Sequence, residues 1–406
     1  MRQPDRERAV KPRILYISYD GMLEPLGQSQ VLAYLERLTG GYDIRLMSFE
    51  KKADWRDRAR RSALEARLRT AGIAWVPLRY HKAPSAPATA WDIAAGTLVA
   101  MWQSFRHRVA IVHARSYVPG VMALAAKRLT GARFLFDMRG FWADERIDGG
   151  LWPRQGRLYR AAKGIERRLL AGADHIVTLT EASVAEIARL PGRNPATPVT
   201  VITTCANLDR FRPAERATRP FVLGYIGSVG TWYLFDEALT CFEKLRAREP
   251  DARLLIVNRN EQAFIRGRIA AHGIDLASVE ILSAEHGEVP ALIGRMTAGL
   301  AIIKPVFSKI ASAPTKLAEY LACGVPCLGN RGVGDVETIL EGERVGVAIS
   351  DLSDAALEAA VDRLVPLARE AAVAARCRAA AERHFSLADG VAAYAGIYRA
   401  LAEGPK

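Results

Sequence analysis

Phe221-Val-Leu-Gly-Tyr-Ile226 runs directly into Gly227-Ser-Val-Gly230-Thr-Trp-Tyr233, and Arg13-Ile-Leu-Tyr-Ile-Ser18 runs into a loop carrying Gly21, Pro25 and Gly27. In both places a short apolar run of strand type gives way to a glycine loop and then a helical pattern, from about Leu234 to Arg246 and from Gln28 to Leu38. The plan is that of a Rossmann-like unit, written twice. Further apolar runs alternate with helical stretches on either side: Ile44 to Phe49, Ile111 to His113, Phe134 to Phe136 and His175 to Leu179 in the first half, then Arg253 to Val257, Ala298 to Ile303 and Val325 to Leu328 in the second. Such alternation predicts an α/β protein of two parallel sheets wrapped by helices. Arg212 to Pro220 is charged, holds two prolines and lacks apolar periodicity, which places an interdomain linker there.

A length of 406 residues suits two such domains, and 57 Lys and Arg against 44 Asp and Glu leave a formal charge of +13. That excess favours an anionic partner: nucleotide phosphate, lipid headgroup or nucleic acid. No recognisable nucleic-acid-reading motif accompanies it, so nucleic acid is not expected. The five cysteines (Cys205, Cys241, Cys323, Cys327 and Cys377) form no repeated metal-ligand spacing, and their odd count argues against a disulfide framework. Structural burial in a reducing cytosol is expected. No apolar run approaches the length that crosses a bilayer, and the basic start Met1 to Lys11 lacks the hydrophobic core of a secretory signal. A cytoplasmic protein, peripheral on an anionic membrane face, fits that combination. Trp55 to Arg69 is dense in arginine, and Trp91 to Arg108 combines apolar residues with Trp102, Phe105, Arg106, His107 and Arg108. Such segments either rest on headgroups or are ordinary solvated and core-packing helices.

Neither glycine loop reads G-x-G-x-x-G, and the chain has no Walker lysine motif and no D-x-D triplet. Nicotinamide and flavin chemistry are disfavoured, and no metal or other cofactor is expected. Charge neutralisation then falls to Arg259, Lys304, Lys309, Lys316 and helix N-termini. Ser312-Ala-Pro-Thr-Lys-Leu-Ala-Glu319-Tyr-Leu-Ala-Cys-Gly324-Val-Pro326 bears on this directly. Ser312 and Pro314 fit the start of a helix, Gly324 its left-handed end, and Pro326 prevents continuation. The first-turn N–H groups with Lys316 make a phosphate or pyrophosphate site, and Glu319, on the same face, suits ribose hydroxyls. The plain alternative is a capped helix with a surface lysine and glutamate.

With those residues in view, the sequence resembles the retaining glycosyltransferases of the GT-B fold, in particular family 4, or group 1. The resemblance runs through nearly the whole chain and is strongest from Leu300 to Val347. There Ala301-Ile-Ile-Lys-Pro305 precedes the loop, Pro314 to Pro326 looks like the family's nucleotide helix, and Gly332 to Ile339 resembles the next segment. Val199 to Phe211 and Ala173 to Ser183 are similar to the close of the first domain, and Gly21 to Gln30 occupies the place of the acceptor-side glycine loop. The resemblance implies two Rossmann-like domains with parallel sheets facing each other across a cleft. Residues 1–212 would bind the acceptor, residues 213–385 the nucleotide-sugar donor, and a C-terminal helix within 386–406 would cross back to the first domain. The implied activity is retaining, metal-independent hexosyl transfer from a nucleotide-sugar to a hydroxyl of a glycan or polyprenyl-linked saccharide, in bacterial surface polysaccharide synthesis. Glu319 matches the acid that holds the donor ribose. Gly227, Ser228, Gly230, Arg259, Lys304, Lys309, Pro314, Thr315 and Lys316 complete the expected donor set, with Lys316 first and Lys304 or Lys309 second on the diphosphate.

Asp137 and Arg139 follow a strand, on the edge where open α/β sheets place ligands. They are candidate catalytic residues or a structural ion pair. His113 ends another strand and is either a packing residue or the third catalytic candidate. Gly27, Gln28, Arg115, Trp142, Asp144 and Glu145 form the expected acceptor side, although Trp142 and Trp152 also suit plain hydrophobic packing. Three departures from the family pattern matter. The first of its two spaced acids falls on Ala311, and the Arg and Lys that hold the donor diphosphate fall on Ser228 and Tyr233. They point to a divergent branch, and leave open a sugar-nucleotide epimerase of the same fold or a nucleotide-sugar-binding homologue without turnover.

Overall fold

The computed structural model describes residues 11–214 and 220–404, so most of the basic start and the middle of the expected linker lie outside the described residues. In the first domain β1 (Arg13–Ser18), β2 (Asp43–Glu50), β3 (Ala74–Arg79), β4 (Ile111–Arg115), β5 (Arg133–Asp137), β6 (His175–Thr178) and β7 (Val199–Val201) form one sheet. Its order is β3-β2-β1-β4-β5-β6-β7. In the second domain β8 (Val222–Ile226), β9 (Arg253–Val257), β10 (Val279–Leu282), β11 (Ala298–Ala301), β12 (Cys327–Asn330) and β13 (Gly346–Ile349) take the order β10-β9-β8-β11-β12-β13. Every pairing in both sheets is parallel.

The continuous apolar runs have a direct cause. Ile14 and Tyr16 of β1 enter one hydrophobic cluster while Leu15 and Ile17 enter another on the opposite face, so from Ile14 to Ile17 no position is left for solvent. In β8, Leu223 and Tyr225 face one cluster and Ile226 the other. In each sheet the strand order reverses beside the first strand, between β1 and β4 and between β8 and β11. A crevice opens there at the strands' carboxyl ends.

Local departures from the sequence expectation are small and explicable. The first helix starts earlier, at Pro25, and continues through a π-helical turn over Gln28–Leu32 into Ala33–Leu38. Pro25 at the first helical position loses no hydrogen bond. β12 starts at Cys327, after the turn that holds Pro326. The helix of the Ser312–Pro326 stretch spans Thr315–Ala322 with Pro314 as its cap, and Gly324 has φ +74°. All five cysteines are buried. Among the described residues no helix is long and apolar enough to cross a membrane. The C-terminal helix Leu387–Glu403, capped by Ser386, puts Leu387, Tyr394, Ile397 and Tyr398 into the same cluster as Ile14 and Tyr16 of the first domain.

Candidate functional site

The crevices of the two sheets face each other across a cavity of about 510 Å³. The first domain contributes Tyr19 and Asp20 after β1, Arg115 and Ser116 at the end of β4, and Arg139 after β5. The second contributes Trp232 and Tyr233 after β8, Ile303 after β11, and Ser312 to Thr315 at the start of the helix Thr315–Ala322. Ser116 (φ 73°) and Arg139 (φ 58°) line this cavity with left-handed backbones, and Thr231 (φ 51°) does the same in the adjacent loop. Left-handed non-glycine residues are uncommon and cluster where a fold holds strain for function. A hollow of about 590 Å³ elsewhere lies among Phe221, Arg253 and Ser278, at the amino ends of the second sheet, the wrong edge for a ligand of this architecture.

Four cations line the main cavity, one of them, Arg146, lying 5.2 Å from the centre of the Trp142 ring. Arg115 is buried and pairs with Asp20 at 3.3 Å, leaving one terminal nitrogen without a hydrogen-bond partner. Arg139 stands 3.8 Å from Asp137. Lys309 pairs with Glu145 at 2.8 Å across the cleft, and its Nζ sits 3.9 Å from the centre of the Trp232 ring. Trp142 and Glu145 line the cavity with them.

Lys316 departs from the expected picture of an exposed first-turn charge. It is 6% exposed, and its Nζ lies 4.4 Å and 4.0 Å from the ring centres of Tyr225 and Tyr233 with no hydrogen-bond partner. Burial lowers its pKa to about 7. It stands behind Tyr233 and beneath Gly227, whose φ of +97° keeps the backbone over the ammonium. Glu319, one turn on, opens to a second cavity of about 330 Å³ with Gln28, Asn207, Arg210, Phe211 and His286. Burial raises its pKa to about 7, against the lowering pull of Lys316 and Arg210. One helix therefore borders both cavities: Pro314 and Thr315 the first, Glu319 the second.

Several expected residues are placed elsewhere. His113 and Asp137 do not line the cavity; they are buried in the first domain beneath it. The Tyr394 hydroxyl donates to Asp137 at 3.0 Å, and His113 Nδ1 lies 2.7 Å from the Tyr398 hydroxyl. Burial pushes the Asp137 carboxyl up, but Arg139, His113 and Arg115 together outweigh this and hold it below the usual range, with Arg139 the largest single pull, so Asp137 serves as its counter-ion. Asp144 is taken up by Tyr159 and Lys163, away from the cavity. Gly27 packs the loop, since a Cβ there would come within 2.2 Å of the Gly21 carbonyl oxygen, and Leu26 is the residue beside it that meets the cavity. Gln28 lines the second cavity rather than the first.

On the donor side, the Glu261 carboxylate accepts from Ser228 Oγ at 3.0 Å and Val229 N at 3.2 Å, and the Gly230 N–H turns back to Ser228 Oγ at 3.4 Å. The glycine loop thus already holds an anion of its own. Arg259 pairs with Glu285 beside a separate cavity of about 270 Å³, and Lys304 reaches the Asp148 carbonyl at 3.4 Å. Ala311 is buried within the first domain's core cluster, where a carboxylate would be stranded among apolar side chains. Sequence reasoning gave no role to Tyr19, Asp20, Trp232, Arg210, Tyr394 or Tyr398. Asp20 had a signal, two residues past a strand end; the two tyrosines had none beyond helical spacing.

Facing parallel sheets, both switch points on one basic cleft and a crossing C-terminal helix define a GT-B architecture. A family model described as a glycosyl transferase 4-like domain matches residues 29–205, and one described as glycosyl transferases group 1 matches residues 208–383. The chain belongs to the group 1 glycosyltransferases and is a glycosyltransferase of the GT-B fold. No curated protein matches it. Among solved structures it is similar to sucrose-phosphate synthase from Thermosynechococcus elongatus, with TM-score 0.71 and 13% identity over 96% of this chain and 99% of that one. It is also similar to Anabaena Alr3699/HepE in complex with UDP-glucose, with TM-score 0.67 and 13% identity over 96% and 99% of the two chains. The lipopolysaccharide outer core galactosyltransferase WaaB matches with TM-score 0.62 and 15% identity over 95% and 99%.

Proposed function

We propose that the protein transfers a hexosyl group from a nucleotide-sugar to a hydroxyl of a lipid-linked glycan, with retention of anomeric configuration and without a metal, in bacterial surface polysaccharide synthesis. The observation that carries this is a single helix, Thr315–Ala322, presenting its N-terminal turn to a cavity lined by Arg115, Arg139 and Lys309, and Glu319 to the cavity next door. The diphosphate lies at the helix start, where unpaired N–H groups and nearby cations stabilise the charge growing on the leaving group. The ribose hydroxyls meet Glu319 and the base lies among Arg210, Phe211 and His286. The acceptor enters from the first domain between Tyr19, Trp142 and Arg139. Domain closure holds the two reactants together and excludes water. The UDP-glucose complex of one structural neighbour and the description of another as a lipopolysaccharide outer core galactosyltransferase favour this donor and acceptor class. The protein is read as cytoplasmic and peripheral on the inner face of the plasma membrane.

The test is nucleotide release by purified protein from UDP-, GDP- and dTDP-sugars, with and without membrane glycolipid acceptors and with and without EDTA. Acceptor-dependent release that EDTA leaves unchanged, with retained configuration by NMR, is the expected result. No release across the panel, or conversion of a donor sugar without acceptor, defeats the reading.

A further inference from the structure

The helix Ser85–Arg106 carries a surface unlike the rest of the first domain. Its inner face buries Asp92, Gly96, Ala100, Gln103 and Ser104. On the other side Trp91, Leu98, Trp102 and Phe105 are 64%, 69%, 58% and 73% exposed. At about 100° per residue these four positions fall within an arc of about 60°, a single stripe roughly 20 Å long. The stripe contains no charge, because the helix's one acid, Asp92, is buried. The helix Arg58–Thr70, on the other face of the sheet, shows what an ordinary solvated face looks like here: Arg58, Arg60, Arg67 and Arg69 are exposed on it, while Leu64 and Leu68 are buried. A contiguous row of large apolar side chains left in water marks a surface that something covers.

Charge says what covers it. Exposed Lys82 precedes the stripe, exposed Arg106 and Arg108 follow it, and exposed Arg128 ends the next helix, Tyr117–Thr130, beside exposed Leu129. None of these four cations has an ion pair among the described residues. Cations flanking aromatic and aliphatic side chains on one helix face match an anionic bilayer, with rings at the headgroup boundary and guanidinium groups on the phosphates. Position agrees with this. Asp92 accepts from the Tyr19 hydroxyl at 2.8 Å and from the His81 backbone N–H at 3.0 Å, and Tyr19 lines the main cavity, so the stripe begins beside the acceptor side of the cleft. Arg67, by contrast, is bonded to Glu36 and Gln28 at the second cavity, which removes the helix Arg58–Thr70 from this role.

We infer that Trp91, Leu98, Trp102 and Phe105, flanked by Lys82, Arg106, Arg108 and Arg128, form a docking face that seats the first domain on an anionic lipid surface. The inference deepens the lipid-linked acceptor reading, on which it rests for its purpose, but the two can fail separately.

The experiment is co-sedimentation of the full chain with vesicles of phosphatidylcholine alone and with about one third phosphatidylglycerol, at low and high salt. Wild type is expected to bind the anionic vesicles, less at high salt, and far less to neutral ones. Trp102→Ser with Phe105→Ser, and separately Arg106→Glu with Arg128→Glu, lower that binding at least about tenfold. Nucleotide affinity by calorimetry and turnover with a detergent-free, water-soluble acceptor stay unchanged, because no altered residue touches either cavity. Equal binding to neutral and anionic vesicles, or serine variants that sediment like wild type, overturns the inference. So does a serine variant that converts a dimer to a monomer, since a second copy then covers the stripe. Loss of turnover in every form, with vesicle binding intact, defeats the transfer reading and leaves the docking face standing.

Discussion

Lys316 and Glu319 stand three residues apart on one helix, and burial brings both pKa values to about 7 from opposite directions. A folded-state lysine pKa below the unfolded value means the folded chain binds fewer protons from about pH 7 to about 10, so this group's contribution to stability improves as pH rises through that window. Glu319 runs the other way, its contribution declining as pH rises from about 4.5 to about 7. Together they cost the ligand-free protein most near neutrality. Replacing both with Met and Gln should therefore raise ligand-free stability at pH 7 by about 1–3 kcal/mol in denaturant titration while abolishing nucleotide binding. Nucleotide binding should also move protons. Diphosphate favours charged Lys316 and ribose hydroxyls favour charged Glu319, so calorimetry in buffers of different ionisation enthalpy should show uptake at pH 8 and release at pH 6. Lys316→Met removes the uptake; if it persists there, Lys316 is not near the phosphates. The pairing of these two residues was legible from their spacing. Their burial was not, since Lys316 is covered by Tyr225 and Tyr233 from another strand and loop, and Glu319 sits beside Gln28, Arg210 and Phe211 from distant parts of the chain.

At the scale of elements, β1, β5, β8 and β9 were legible because a strand packed on both faces must be apolar through its middle, as residues 14–17, 134–136 and 254–257 are. β3 and β10 were not: each lies at a sheet edge, half-buried, and β3 also holds Pro77, tolerated at an edge. Of the residues expected at the site, Arg115, Arg139, Trp142, Glu145, Lys309, Pro314 and Thr315 line the main cavity, whereas His113, Asp137 and Asp144 do not. What the local sequence could not supply was the C-terminal helix as a support. Tyr394 is 257 positions from Asp137 yet bonds to its carboxylate, and that carboxylate faces Arg139. Tyr394→Phe removes only this bond, at a stability cost of about 1 kcal/mol. If Tyr394 positions Arg139, kcat should fall several-fold with donor KM unchanged, and the loss should be larger in Asp137→Asn, where the buried guanidinium lacks its counter-ion. A stability loss with kcat intact in Tyr394→Phe would reduce the network to scaffolding.

Across the whole molecule, the two domains are strapped together over the cleft by the 3₁₀ segment Phe307–Ala311. Phe307 stacks on Phe141 at 5.2 Å between centroids, the Ser308 N–H donates to Asp148 at 2.9 Å, and the Ile310 carbonyl accepts from Thr180 at 2.7 Å. Ala311 finishes the segment inside the first domain's core, where a small apolar residue fits and a carboxylate would sit in hydrophobic packing. Lys309 is the hinge of this contact, paired with Glu145 of one domain and set over Trp232 of its own. An ion pair that spans a cleft favours the closed form by its own interaction energy and no more. Glu145→Gln leaves the buried Lys309 ammonium without its partner, so the open form should gain population in the ligand-free protein, visible as a larger radius of gyration in solution scattering. Saturating nucleotide-sugar supplies a new anion to Lys309 and should close the variant again. Donor KM should rise more than kcat falls, because closure is purchased from ligand binding rather than from the strap. A variant with wild-type scattering and wild-type KM would show that the apolar part of the strap, Phe141 against Phe307 and Ala311 in the core, holds the domains without the charges.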